Sequence, residues 1–165
     1  MTSPNAIPAD AVLVAIDIAK ACNEVLIEAP SHKRRRRLSV LNNRAEHDRL
    51  VEVLQTYGRP VICAFEATGN YHRPVAWRLA EAGFEVRLVS SLALARTREA
   101  LHNSWDKNEP KDAQVILHML KIQATQVYHD PLRAAVSQPD AASARLSVSV
   151  TSSTFMVVHS FQAMM

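Results

Sequence analysis

A chain of 165 residues, 48% of them apolar and 21% charged, can bury one core and is not composed like a disordered protein. No apolar run reaches the roughly 18–20 residues that span a bilayer, and the first ten residues lack the basic start and apolar stretch of a signal peptide, so a cytoplasmic protein with no membrane partner is expected. The net charge of +3 and the pI near 9.1 are compatible with a nucleic-acid partner without requiring one.

Residues 11–18, AVLVAIDI, form a short β-branched run and predict a buried strand. After residues 20–23 the run EVLIEA supplies a hairpin partner. The basic stretch His32, Lys33, Arg34, Arg35, Arg36 and Arg37 then leads into a third strand at residues 38–41. Residues 44–57 carry apolar positions among charges, as an amphipathic helix does, and Gly58 closes it. VICAF at 61–65 is the fourth strand. Asn70 is the expected cap of a helix over 71–82, with Gly83 as its stop. FEVRLV at 84–89 is the fifth strand, and two helices follow at 92–102 and 112–124, joined by a polar link over 103–109. Three meandering strands followed by two strand–helix units imply an α/β mixed sheet with helices on its faces. That order is shared by the RNase H-like fold and is compatible with other α/β layouts.

Residues 1–10 are an extension, residues 11–132 the domain, and residues 133–165 a tail of different character. Its only charged residues are Arg133, Asp140 and Arg145, and Ser, Ala, Thr and Val dominate without a clear period. A poorly ordered tail is expected. The expected cause is a frameshift near Pro131 and Leu132 that leaves the tail out of frame, which sequencing the adjoining gene tests.

Four acids carry the candidate chemistry. Asp17 interrupts an apolar strand, where a carboxylate is costly unless paired or metal-bound; it also suits a strand end turning into Lys20. Glu66 follows the fourth strand, at the carboxyl end where α/β sheets build sites, and the Thr68-Gly69-Asn70 turn leads to a helix start that can hold a phosphate. Glu109 and Asp112 flank Pro110 at the start of the last helix. Their spacing of three puts both on one side, although acids are favoured at a helix N-terminus in any case. Gathered together, such oxygens suit hard divalent cations, and two ions about 4 Å apart activate a nucleophile and stabilise the leaving oxygen of a phosphodiester.

The segments AIDIAK, FEATGNYHRPVAWRLAEAGFEVRLVSSLALARTREA and SWDKNEPKDAQVIL together resemble the N-terminal half of the DEDD transposases of the insertion-sequence-110 type. The resemblance runs from about Val12 to Leu132. It implies an RNase H-like (RuvC-like) domain with its four acids at Asp17, Glu66, Glu109 and Asp112, which would ligate Mg²⁺ (or Mn²⁺) for DNA strand cleavage and exchange. It also implies DNA and a structured guide RNA as partners, and a homo-oligomer in the intact family. Two departures stand out. The third acid is usually Asp and here is Glu109, whose extra methylene displaces the oxygens. Family members also carry a C-terminal domain with a nucleophilic serine; the tail serines Ser149 and Ser153 match no motif of it, so a chain inactive alone is expected.

For nucleic-acid contact the sequence offers the tract Lys33, Arg34, Arg35, Arg36 and Arg37, which also reads as a solvated hairpin tip, and the cations Arg73, Arg96, Arg98 and Lys107 flanking the acids. Tyr71, His72 and Trp105 suit either base stacking or packing. Cys22 and Cys63 show no metal spacing, and Cys63 reads as a core residue. No phosphate-binding glycine loop or dinucleotide fingerprint is present. Two other functions fit the same residues: a non-catalytic remnant that binds nucleic acid or dimerises with a full-length transposase, and a stand-alone junction nuclease of the RuvC kind.

Overall fold

A computed structural model of the chain describes residues 6–67, 69–101 and 110–129. In chain order the elements are β1 (Val12–Asp17), β2 (Cys22–Glu28), β3 (Arg36–Leu41), α1 (Arg44–Gln55), β4 (Val61–Glu66), α2 (Arg73–Glu81), β5 (Glu85–Val89), α3 (Ser91–Ala100), α4 (Lys111–Lys121) and β6 (Gln126–Val127). The strands form one sheet in the order β3-β2-β1-β4-β5-β6. β1, β2 and β3 pair antiparallel, β1, β4 and β5 pair parallel, and β6 returns antiparallel to β5. A hairpin meander joined to parallel strands with helical crossovers is the RNase H-like arrangement that the element order implies.

Alternation along the strands divides the core into two layers, because successive side chains leave a strand on opposite faces. Val12, Val14 and Ile16 of β1, with Val61, Cys63 and Phe65 of β4, pack with Leu50 and Leu54 of α1 and Val75, Ala76 and Leu79 of α2. Ala15, Leu26, Ile62 and Ala64 face the other way and pack with Val115, Ile116, Met119 and Leu120 of α4 and Leu94 of α3. β1 and β4 are buried on both faces, which is why their sequences read as continuous apolar runs. Each fully buried aliphatic side chain here contributes about 1.5–3 kcal/mol before entropy is counted. Cys63 is a core residue as expected, and its burial pushes the thiol far above the ordinary range.

Helix ends explain where structure and expectation part. α2 starts at Arg73, not Tyr71, and Asn70 is not its cap. The Asn70 carbonyl instead accepts from the Arg73 N–H (3.2 Å) in a turn after Gly69, at φ +57°. Pro74, which lacks an N–H, suits the first turn that follows. Gly83, at φ +83°, stops α2 as expected: the Phe84 N–H reaches the Leu79 carbonyl and the Gly83 N–H the Ala80 carbonyl. α4 ends the same way, with Gln123 at φ +57° and bonds from Gln123 to Leu120 and Ala124 to Met119. No glycine marks that stop, so the predicted helix ran to residue 124. The two-residue β6 was not foreseen, since so short a strand has no readable period. No helix among the described residues is long and apolar enough to cross a membrane.

Candidate active site

Asp17 is the last residue of β1 and Glu66 the last of β4. These strands run parallel with Ile16 beside Phe65, so the two acids occupy neighbouring positions at the same sheet edge. Their faces follow from their neighbours. Ala15 and Ala64, two residues earlier, belong to the layer packed on α4, so Asp17 and Glu66 face α4 as well. α4 crosses this face with Asp112 in its first turn. Three of the four sequence-predicted acids are thereby gathered at one end of the sheet. Glu109 lies outside the described residues, as do Lys107 and Trp105.

A fourth carboxylate stands with them that the sequence did not single out. Glu24 of β2 is the register partner of Asp17. Its oxygens accept from the Arg37 Nε at 3.0 Å and the Ser39 Oγ at 2.8 Å, both on β3. Counting the hairpin outward from a centre between Lys20 and Ala21 finds this pairing, because positions 17 and 24 are equidistant from it. The apolar pattern alone does not fix that centre.

Burial is the largest influence on Asp17 and works against its charged form. The negative charges of Asp112, Glu24 and Glu66 add to it and the positive charge of Arg98 opposes it, leaving the carboxyl above its ordinary value. Arg98 of α3 is also the direct partner of Asp112, at 2.6 Å. Among the described residues, no three His, Cys, Asp or Glu side chains stand together as a set able to hold a metal ion. The donor chemistry nevertheless suits a hard divalent cation. The gathered groups are all carboxylates, they repel one another around a partly desolvated Asp17, and Arg98 offsets only part of their charge.

The other cations divide sharply. Arg96 lies on α3 two residues from Arg98, so it projects from nearly the opposite side of that helix and is not brought to the acids. Arg73 is exposed at the start of α2, just after the turn that leaves β4 beyond Glu66. Arg36 and Arg37 fall within β3, not on the hairpin tip. Arg37 pairs with Glu24, while Arg35 pairs with Glu28 at 2.8 Å. Lys33 and Arg34 lie in the β2–β3 connection and are exposed. His72 is buried and packs its ring against Phe65 and Tyr128, whereas Tyr71 is exposed.

Residues 14–151 match the transposase family of DEDD type named for insertion sequence 110. The chain belongs to this transposase family. Family membership makes it a DNA-transposition protein and accords with the mixed sheet and helices already described. Among solved structures it is similar to RuvC of Thermus thermophilus (15% identity, 71% of this chain and 99% of that one, TM-score 0.48). Similar values hold for T. thermophilus RuvC in complex with a Holliday junction substrate (16% identity, 72% and 99% covered, TM-score 0.45). YeaZ from Pseudomonas aeruginosa is a more distant likeness (20% identity, 56% and 49% covered, TM-score 0.35). Among curated proteins there is no match.

Proposed function

We propose that this transposase domain acts on DNA phosphodiesters through the acids Asp17, Glu66 and Asp112, joined by Glu109, and that these carboxylates hold a divalent cation, Mg²⁺ or Mn²⁺. The observation that carries the reading is the convergence of Asp17 and Glu66 on the α4 face beside Asp112, where burial and like charges raise Asp17. Repulsion and desolvation both oppose gathering carboxylates, and Arg98 alone leaves the cluster short of counter-charge, since Asp17 stays raised beside it. A bound divalent cation supplies that charge, and supplies Lewis-acid activation of a phosphodiester at the same place.

The chain's own residues have separable tasks. Asp17 and Glu66 are fixed by the two central strands, so little rearrangement is needed to present their oxygens. Asp112 is delivered by α4, whose packing on β1, β2 and β4 sets its position. Arg98 pairs with Asp112 and is placed to exchange that partner for a DNA phosphate. Arg73, exposed near Glu66, adds a second phosphate contact. The family resemblance extends the partners to a structured guide RNA and a second copy of the chain, and action on DNA suits a cytoplasmic location.

Calorimetric titration of Mn²⁺ into the wild-type chain and Asp112→Ala tests the reading. Saturable binding that the substitution weakens at least tenfold is expected. Equal binding by both proteins sinks it.

A further inference from the structure

At the other end of β1, the described residues leave an open cleft of about 900 Å³ on the same face of the sheet as the acids. Ile7, Pro8, Ala11 and Leu13 provide apolar walls, and the rim carries Lys33, Arg34, Arg35, Arg37 and Lys121 against a single carboxylate, Glu28. Three of these cations are ion-paired, Arg37 with Glu24, and Arg35 and Lys121 with Glu28. The Lys121 Nζ at the end of α4 lies 2.6 Å from Glu28, and Arg35 reaches the same carboxylate at 2.8 Å. Lys33 and Arg34 are exposed in the β2–β3 connection and make no ion pair among the described residues. The cleft therefore combines paired cations, exposed unpaired cations and apolar walls.

Its location separates it from the candidate active site. Leu13 precedes Asp17 by four residues, about 13 Å along a strand. α4 lies over the sheet between the two places, with Asp112 at one end and Lys121 at the other, about 14 Å apart at the helical rise. A polyanion seated in the cleft cannot run straight across that face to the acids.

We infer that the cleft bounded by Lys33, Arg34, Arg35 and Lys121 is a second nucleic-acid site, which holds a single-stranded segment other than the one presented to the carboxylates. The cations take the phosphates and the apolar walls take the faces of unpaired bases. With Glu24 counted as the partner of Arg37, the five cations face two carboxylates, and the surplus of positive charge fits a polyphosphate chain. A recess of this volume accepts a few nucleotides, and contact between its apolar walls and base faces requires bases that are unpaired. DNA and RNA single strands share this chemistry. The inference rests on reading the chain as a nucleic-acid-acting protein, but it does not depend on the acids.

Fluorescence anisotropy on the full chain tests it, using labelled single-stranded DNA, single-stranded RNA of the same sequence, and the DNA duplex. Wild type is expected to bind the single strands more tightly than the duplex. The double substitution Lys33→Ala/Arg34→Ala is expected to weaken strand binding about tenfold or more at low salt. It should also reduce the slope of log K against log salt by about 1.4, the loss of two phosphate contacts on a single strand. The DNA and RNA arms identify which strand is preferred. Unchanged affinity and slope for single strands in the double variant, with an unaltered melting temperature, overturns the inference, as does an equal loss of affinity for the duplex. Mn²⁺ calorimetry on the same wild-type preparation reads the acids alone, so either conclusion can fail without the other.

Discussion

Arg98 faces two demands at the carboxylate cluster. It pairs with Asp112 at 2.6 Å and also lowers the charge burden on Asp17, so a cation arriving at these acids competes with a side chain already there. Replacing it with an uncharged residue of similar reach removes the competitor and leaves the acids in place. Arg98→Gln is therefore expected to bind Mn²⁺ about fivefold more tightly in calorimetry, the equivalent of roughly 1 kcal/mol for a part-exposed ion pair. Weaker binding in the variant would show that Arg98 supports the site instead. Asp17 makes a complementary prediction. Its folded pKa is raised above the ordinary 3.8, so its contribution to stability is fully present below that value and is lost as pH rises through the folded value. At pH 7 the ionised group is a net cost. Asp17→Asn should therefore melt higher than wild type at neutral pH, by about 2–4 °C for each kcal/mol relieved. The gap should close as the solution is acidified through that window; a lower melting temperature at pH 7 refutes the electrostatic account.

Among the elements, α4 links the core to the chemistry. Val115, Ile116, Leu117, Met119 and Leu120 are buried, while Asp112 in the same helix stands at the acids. Leu117 is 1% exposed, so Leu117→Ala leaves a cavity and is expected to cost about 2–5 kcal/mol in denaturant unfolding. It should also weaken Mn²⁺ binding where the protein remains folded, because the helix that delivers Asp112 loosens; full affinity in a destabilised variant would separate the two roles. The amphipathic periods of α1 and α4 and the β-branched runs of β1 and β4 were legible because burial alone selects those residues. Asp17 and Glu66 stood out because each ends such a run with a carboxylate. Helix termini were less legible: Gly83 announced the end of α2, but Gln123 adopts the same left-handed conformation at the end of α4 without a compositional sign. Glu24 stayed hidden because its place beside Asp17 is a matter of register; Arg98 was legible as a cation flanking the acids, but its pairing with Asp112 depends on how α3 lies against α4.

At the scale of the molecule, the sheet separates two regions that respond to acid in opposite senses. Protonation relieves Asp17 at the carboxylate end, whereas at the cleft end Glu28 depends on being ionised. Burial disfavours the Glu28 charge, yet hydrogen bonds from Lys121 and Arg35 outweigh it and hold the carboxyl below its ordinary 4.5. A lowered folded pKa means stability that is present above the unfolded value and lost as pH falls through the folded one. Lys121 ties the last turn of α4 to β2 through this carboxylate, a contact between residues 93 positions apart in the chain. Because the pair is partly exposed, Lys121→Met is expected to cost only about 0.5–1 kcal/mol at pH 7. Thermal melts of variant and wild type should converge as pH drops below the Glu28 range, since the protonated acid no longer favours the ammonium. A difference that persists undiminished at low pH would mean that the methylene chain of Lys121, not its charge, secures this end of α4.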